Sequence, residues 1–325
     1  MATSRAFRPQ AFDGPTRATA DDIAELNQVF SESFTERDRR AGMVGVRVPF
    51  LKPSIWRYAL EDAAEGAMIW RDDRDHIAAF NMVHRSGAEG WMGPLAVRTE
   101  YQGSGMGKEI VQRGVEWLKA QGSSVIGLET MPRTMDNIGF YSRLGFLPGR
   151  LTITMTLEAQ NAIDAGGALL FGRLSSRARD DALGQCRTLV QRLLPGYDYS
   201  REITLTSDLS VGDTVLLYDG DRVVGFALAH TAPLVEGRTR EELRVLKLAL
   251  EDESRFEDML RAVSDLARRS GTRRVSVRVQ GEFGSAYRRV IALGAHVRWT
   301  DLRMSLSSYE ERRPERGLVL SNWEI

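Results

Sequence analysis

The sequence predicts a mixed α/β (α+β) protein built from two tandem copies of one fold. Strand-like runs lie on both sides of helical ones within about 140 residues, the pattern of a layered sheet-and-helix domain. An apolar strand, 91–97, leads through a polar turn into alternating glycines, Gly103, Gly105 and Gly107, and then into a long helix. The second half repeats this plan. Gly122 to Gly145 and Gly271 to Gly294 are both 23 residues apart.

Composition bounds the function classes. At 325 residues the chain can bury two ordinary cores, and 42% hydrophobic with 27% charged residues is a globular balance. The 44 basic residues cancel the 44 acidic ones, so no overall field favours nucleic acid or an acidic membrane surface. The lone Cys186 excludes an internal disulfide and reads as a small buried apolar residue, in keeping with a cytoplasmic protein. His76, His84, His230 and His296 are scattered without ligand spacing, so no metal is expected. Residues 1–15 carry Arg5, Arg8, Pro9 and Pro15 without an apolar core and read as a flexible tail, not a signal peptide. No run approaches the roughly 18 apolar residues of a membrane span.

Taken in order, Asp21 and Asp22 precede an amphipathic helix carrying Ile23, Leu26, Val29, Phe30 and Phe34. Residues 37–53 mix charge, glycine and alternating valines, and are expected to wall an acceptor site. Strands follow at 67–70, 77–84 and 91–97. Beyond the glycines Met106, Ile110, Gly114 and Leu118 recur every fourth residue, which predicts the long helix. A buried strand at 124–129, a short helix at 137–144 and a strand at 151–157 close the first copy.

Glycines where a strand enters a helix let unpaired amides approach an anion at the positive end of the helix dipole, with Lys108 adding charge. A P-loop is excluded, because three residues separate Gly103 from Gly107 and Glu109 follows Lys108. The dinucleotide fingerprint is excluded because position 108 is not glycine. The remaining pattern, Gln102-x-x-Gly105-x-Gly107, resembles the acetyl-CoA pyrophosphate motif of the GCN5-related N-acetyltransferases (GNAT). Asn137, Tyr141 and the closing Leu144-Gly145-Phe146 resemble that family's second hallmark, and Arg17 with Asp21 its opening. The resemblance implies for each copy a mixed, mostly antiparallel central sheet flanked by helices. It also implies acetyl-CoA as co-substrate and transfer of an acetyl group to a primary amine, with a small-molecule acceptor and a monomer or homodimer. A non-catalytic acetyl-CoA-binding or scaffold protein is the rival reading.

In the second half, residues 219–230 match 72–84, and 243–250 match the strand before the glycine loop. A long helix through Phe256, Leu260, Val263 and Ala267, a strand at 274–279, a short helix at 286–294 and a strand at 297–306 follow. Domains are expected at 16–158 and 159–306, with a tail at 307–325 whose apolar Leu318 to Leu320 could dock as an extra strand. Sliding the long helices together sets Glu251 to Phe256 against Gln102 to Gly107, and Val290 against Tyr141. Three carboxylates then stand where glycines would grip a pyrophosphate, so the first copy is expected to be catalytic and the second degenerate.

By the resemblance, Gln102, Gly103, Ser104, Gly105, Met106, Gly107 and Lys108 would hold the pyrophosphate, and Leu95, Ala96 and Val97 the pantetheine arm. Asn137 would hydrogen-bond that arm or cap its helix. Tyr141, a phenol protonated at neutral pH, is the candidate general acid for the departing thiolate. Glu129, at a buried strand end, and His84 are the candidate bases. The family's usual glutamate on the preceding strand is missing from 91–97, which leaves a water relay or an already neutral acceptor as further options.

Overall fold

A computed structural model describes residues 12–159, 168–239 and 241–324. The tail expected at 1–15 lies largely outside them, yet part of it is ordered: strand β1 spans Asp13–Arg17. Thr19 and Asp22 then form a reciprocal cap, the Thr19 amide donating to Asp22 Oδ2 at 2.7 Å, and helix α1 (Ile23–Arg40) follows. It buries Leu26, Val29 and Phe30. Helix α2 (Pro53–Ala63), which periodicity did not predict, begins with proline at a first-turn position that needs no N–H. Then come β2 (Ala67–Arg71), β3 (Ile77–Ser86), β4 (Glu89–Val97), α3 (Met106–Ala120), β5 (Val125–Thr130), α4 (Met135–Arg143) and β6 (Phe146–Glu158). The second half runs β7 (Ala168–Leu170), α5 (Ser176–Leu193), α6 (Ser200–Asp208), β8 (Gly212–Asp219), β9 (Arg222–His230) and β10 (Glu242–Leu250). It ends with α7 (Phe256–Arg269), β11 (Arg274–Gln280), α8 (Gly284–Ala292), β12 (His296–Leu306) and β13 (Leu318–Ser321).

Among the described residues these strands make one 13-stranded sheet, in the order β1-β2-β3-β4-β5-β12-β6-β11-β10-β9-β8-β7, with β13 on β10. All neighbours are antiparallel except β4 with β5 and β10 with β11. The two copies therefore exchange their last strands. β12 leaves its own copy to pair with β5, Arg303 opposite Glu129, while β6 crosses to β11, Met155 opposite Val277. The sequence repeats end near 158 and 306, but neither half of the sheet closes there. Among the described residues no helix is long and apolar enough to cross a membrane.

Polar chemistry is concentrated at the seam. Fully buried Glu89 accepts from Trp323 Nε1 and Ser321 Oγ, both at 2.8 Å, and lies 3.6 Å from Lys247 Nζ. A second cluster sets Arg278 and Arg303 against Glu129, Asp301, Glu311 and Glu324. Trp323 packs over Gly127, where an added Cβ would stand 2.2 Å from the indole, and under the Arg303 guanidinium at 4.1 Å. We expect Trp323→Ala to destabilise the fold by about 3–5 kcal/mol, the cost of emptying a packed tryptophan site, readable in a urea melt.

Candidate active site

β4 and β5 pair in parallel from Glu89 opposite Val125 to Met92 opposite Leu128, and then part. Beyond that point residues 93–97 have lost β5 and pair as a strand with β3 on their other side, with Leu95 opposite Asn81 and Val97 opposite Ala79, while Val97 O also accepts from the Ser33 hydroxyl at 3.1 Å. The wedge is a cavity of about 480 Å³. Leu95, Ala96 and Val97 line one wall, Glu129 and Thr130 the other, Gln102 and Gly107 the loop end, and Asn137 and Tyr141 project from α4. Sequence-predicted residues from four segments thus converge on one space.

The glycine loop fits an anion. Gly103 and Gly105 have φ of +85° and +96°, left-handed values that only glycine adopts at little cost. Among the described residues the amides of Gly103, Gly105 and Gly107 have no hydrogen-bond acceptor, whereas those of Gln102, Ser104, Met106 and Lys108 are used within the loop and helix start. Three alternating amides at the start of a 15-residue helix are therefore open to a ligand. Ser104 and Lys108 are exposed beside them, and Met106 turns its side chain into the core. The Gln102 side chain donates to Val97 O at 3.1 Å and ties the loop to the strand.

The second copy lacks each of these features. Between β10 and α7 the loop is only 251–255, against 98–105 in the first copy, and the Ser254 amide donates to Asp252 Oδ1 at 2.8 Å. Glu251 is held by Arg192 and Arg222. β10 also parts from β11, after Arg244 opposite Ser276, but β13 lies along the freed edge, with Lys247 opposite Ser321 and Leu250 opposite Leu318. The expected docking of the tail as a strand is observed, and it fills the wedge that stays open in the first copy. Val290, at the position of Tyr141, is fully buried in the second core.

Tyr141 is largely buried, and its hydroxyl has no hydrogen-bond partner among the described residues. Burial pushes its phenol up to about 12, with Arg37 pulling the other way, so the group keeps its proton across the working pH range. Asn137 sits inside α4, which Thr134 precedes as the cap residue, so the capping alternative does not hold. Its Nδ2 is 3.5 Å from Thr130 Oγ1.

Both sequence-predicted bases are corrected. His84 lines neither cavity described here: its fully buried ring stacks on Trp91 at 4.1 Å, and Nδ1 lies 2.6 Å from Asp62 Oδ2. Glu129 does reach the cavity wall, but its oxygens bridge Arg278 (2.8 Å), Arg303 (2.8 Å) and the Thr152 hydroxyl (2.6 Å). Burial alone would raise its carboxyl, yet the two guanidiniums and that hydroxyl hold it below the usual range, leaving a poor proton acceptor.

A second cavity, about 410 Å³, meets the first at Phe34, Arg37, Met92, Gly93, Glu129 and Thr130. Its far side comes from the second copy and the C-terminal segment, including Arg278, Asp301 and Trp323. Sequence reasoning singled out 37–53 as an acceptor wall, and Arg37 and Leu51 do line this space. It missed Arg278 and Asp301. The signal for Arg278 was a charged side chain between two buried valines on a strand; Asp301, flanked by half-buried residues, carried no such mark.

The acetyltransferase (GNAT) family profile matches residues 24–146. N-alpha-acetyltransferase 30 of Schizosaccharomyces pombe is 30% identical over 96 residues, 28% of this chain and 64% of that protein. The chain thus spans less than two thirds of this curated relative. A crystal structure of a proposed acetyltransferase from Pyrococcus horikoshii superposes over 99% of this chain and 98% of its own, with a TM-score of 0.67 and 15% identity. A tandem GNAT protein from the clavulanic acid pathway covers 91% of this chain and 97% of its own, with a TM-score of 0.56 and 10% identity. Residues 24–146 are thus similar to the acetyltransferase (GNAT) family, and the solved structures share the fold of the whole chain. The two-copy architecture is shared with the tandem protein.

Proposed function

We propose that this protein is an acetyl-CoA-dependent N-acetyltransferase that moves an acetyl group directly to a primary amine, with the first copy as its active centre. The observation that carries this reading is the alignment of three unbonded glycine amides with an open strand edge that leads to Tyr141. The amides of 103, 105 and 107 would take the diphosphate, and the edge of 95–97 that β5 leaves without a strand partner would bond the pantetheine amides as a neighbouring strand does. Asn137 would fix the arm near the thioester. Tyr141, kept protonated by burial, would supply the proton that the leaving sulfur needs. The closed wedge and short loop of the second copy support one coenzyme A site per chain. The single buried cysteine fits a cytoplasmic setting.

Calorimetric titration with coenzyme A, joined to a thiol-release assay over a panel of primary amines, tests the reading. One saturable site and amine-dependent thiol release are expected. Tight binding without release for any amine would favour a non-catalytic acetyl-CoA-binding protein instead.

A further inference from the structure

We infer that the second cavity receives the acceptor amine and that Asp301, carried there from the second copy by the exchanged strand β12, is the base that takes the ammonium proton. This rests on the transferase reading above. The placement follows from one guanidinium. Arg278 Nη2 donates both to Glu129 Oε2 (2.8 Å) and to Asp301 Oδ2 (2.7 Å), so the Asp301 carboxyl lies within two hydrogen-bond lengths of Glu129, a residue that lines both cavities. Asp301 thus stands at the junction where an amine in the second cavity would meet a thioester in the first. Its other oxygen accepts from Trp299 Nε1 at 3.1 Å, which fixes the carboxyl's orientation toward the cavity it lines.

The other carboxyls of this space fit the role less well. Glu129 is neutralised by two arginines, as described. Glu324 is 59% exposed and paired with Arg278. Glu242 opens β10, opposite Arg274, and among the described residues no hydrogen bond or ion pair joins it to Glu129 or Arg278. The charged groups facing Asp301 are Arg278 from β11, Glu129 from β5 and Glu324 from the C-terminal segment, while β6 presents Thr152 opposite it. Arg37, Glu242 and Arg244 complete the charged lining of the cavity. Burial pushes the Asp301 carboxyl up to about 7; Arg278 opposes this, and Glu324 and Glu129 add to it. A carboxylate near that value can remove a proton at neutral pH and release it to water.

The step balances. An ammonium gives one proton to the Asp301 carboxylate, and the freed nitrogen attacks the thioester carbonyl carbon, forming C–N. As C–S breaks, the sulfur takes the Tyr141 proton, and the phenolate recovers the second proton lost from nitrogen. Asp301 returns its proton to water, so the products are amide, coenzyme A thiol and one proton.

The test compares wild type with Asp301→Asn, using the alkyl primary amine that gives the fastest enzyme-dependent thiol release in the panel. In the wild type kcat/KM should rise with pH through about 7 and then level, because activity needs the ionised carboxyl. Asp301→Asn should lose about 100-fold at pH 7 while acetyl-CoA affinity stays the same. The deficit should shrink steadily toward pH 9.5, where solvent supplies free amine. A merely structural role would lower the rate equally at every pH, and that result, or a profile identical to wild type, overturns the inference alone. Should Asp301→Asn fold poorly, Asp301→Glu answers the same question: a retained plateau above pH 7 supports the base, and a rate still climbing at pH 9.5 overturns it. Absence of amine-dependent thiol release by the wild type overturns the transferase reading and this inference with it.

Discussion

Gly105→Glu is expected to abolish acetyl-CoA binding while leaving the fold intact. Two effects act together. Position 105 has φ of +96°, where a side chain costs about 1–2 kcal/mol because Cβ crowds the next carbonyl. The larger effect is electrostatic: a carboxylate about 4 Å from a phosphate repels it by about 4 kcal/mol at an effective dielectric of 20. That alone weakens binding about 1,000-fold. No neighbouring atom lies within 4 Å of an added Cβ, so the fold should tolerate the change. Ser254→Glu in the second copy is the matched control. The amide there already donates to Asp252, so calorimetry should give the wild-type affinity. Equal loss in both variants would mean that the nucleotide does not sit on the first loop.

Tyr141→Phe should lower turnover at least about tenfold and leave acetyl-CoA affinity within about twofold, since it removes a proton donor and little packing. The ring would keep its contacts with Phe140 and Phe146, whose centroids lie 5.1 and 6.2 Å away. Because burial pushes the phenol up to about 12, the wild type should show no loss of rate from tyrosine ionisation as pH rises toward 10. Steady-state thiol release across pH for both proteins reads the effect, and unchanged turnover would remove Tyr141 from its assigned role.

Much of this site was legible in the sequence because its parts are local. Alternating glycines between an apolar strand and an amphipathic helix specify a turn and a set of unbonded amides without reference to the rest of the chain. The spacing of Asn137 and Tyr141 likewise falls on one short helix. The bases were misjudged because their surroundings are remote in sequence. Glu129 meets partners 149 and 174 residues away, and Asp62, the partner of His84, lies on a helix that periodicity did not reveal. The exchange of β6 and β12 was hidden for a related reason. Apolar alternation says which face of a strand is buried, and it carries no information about which neighbour completes the ladder.

The crossing of those two strands means that neither repeat is a detachable module. An excised first half would leave the outer edge of β5 bare and strip Glu129 both of its two guanidiniums and of the strand that covers it. The half without the glycine loop is therefore structurally indispensable to the other, because it supplies the counter-charges on which the shared cleft is built.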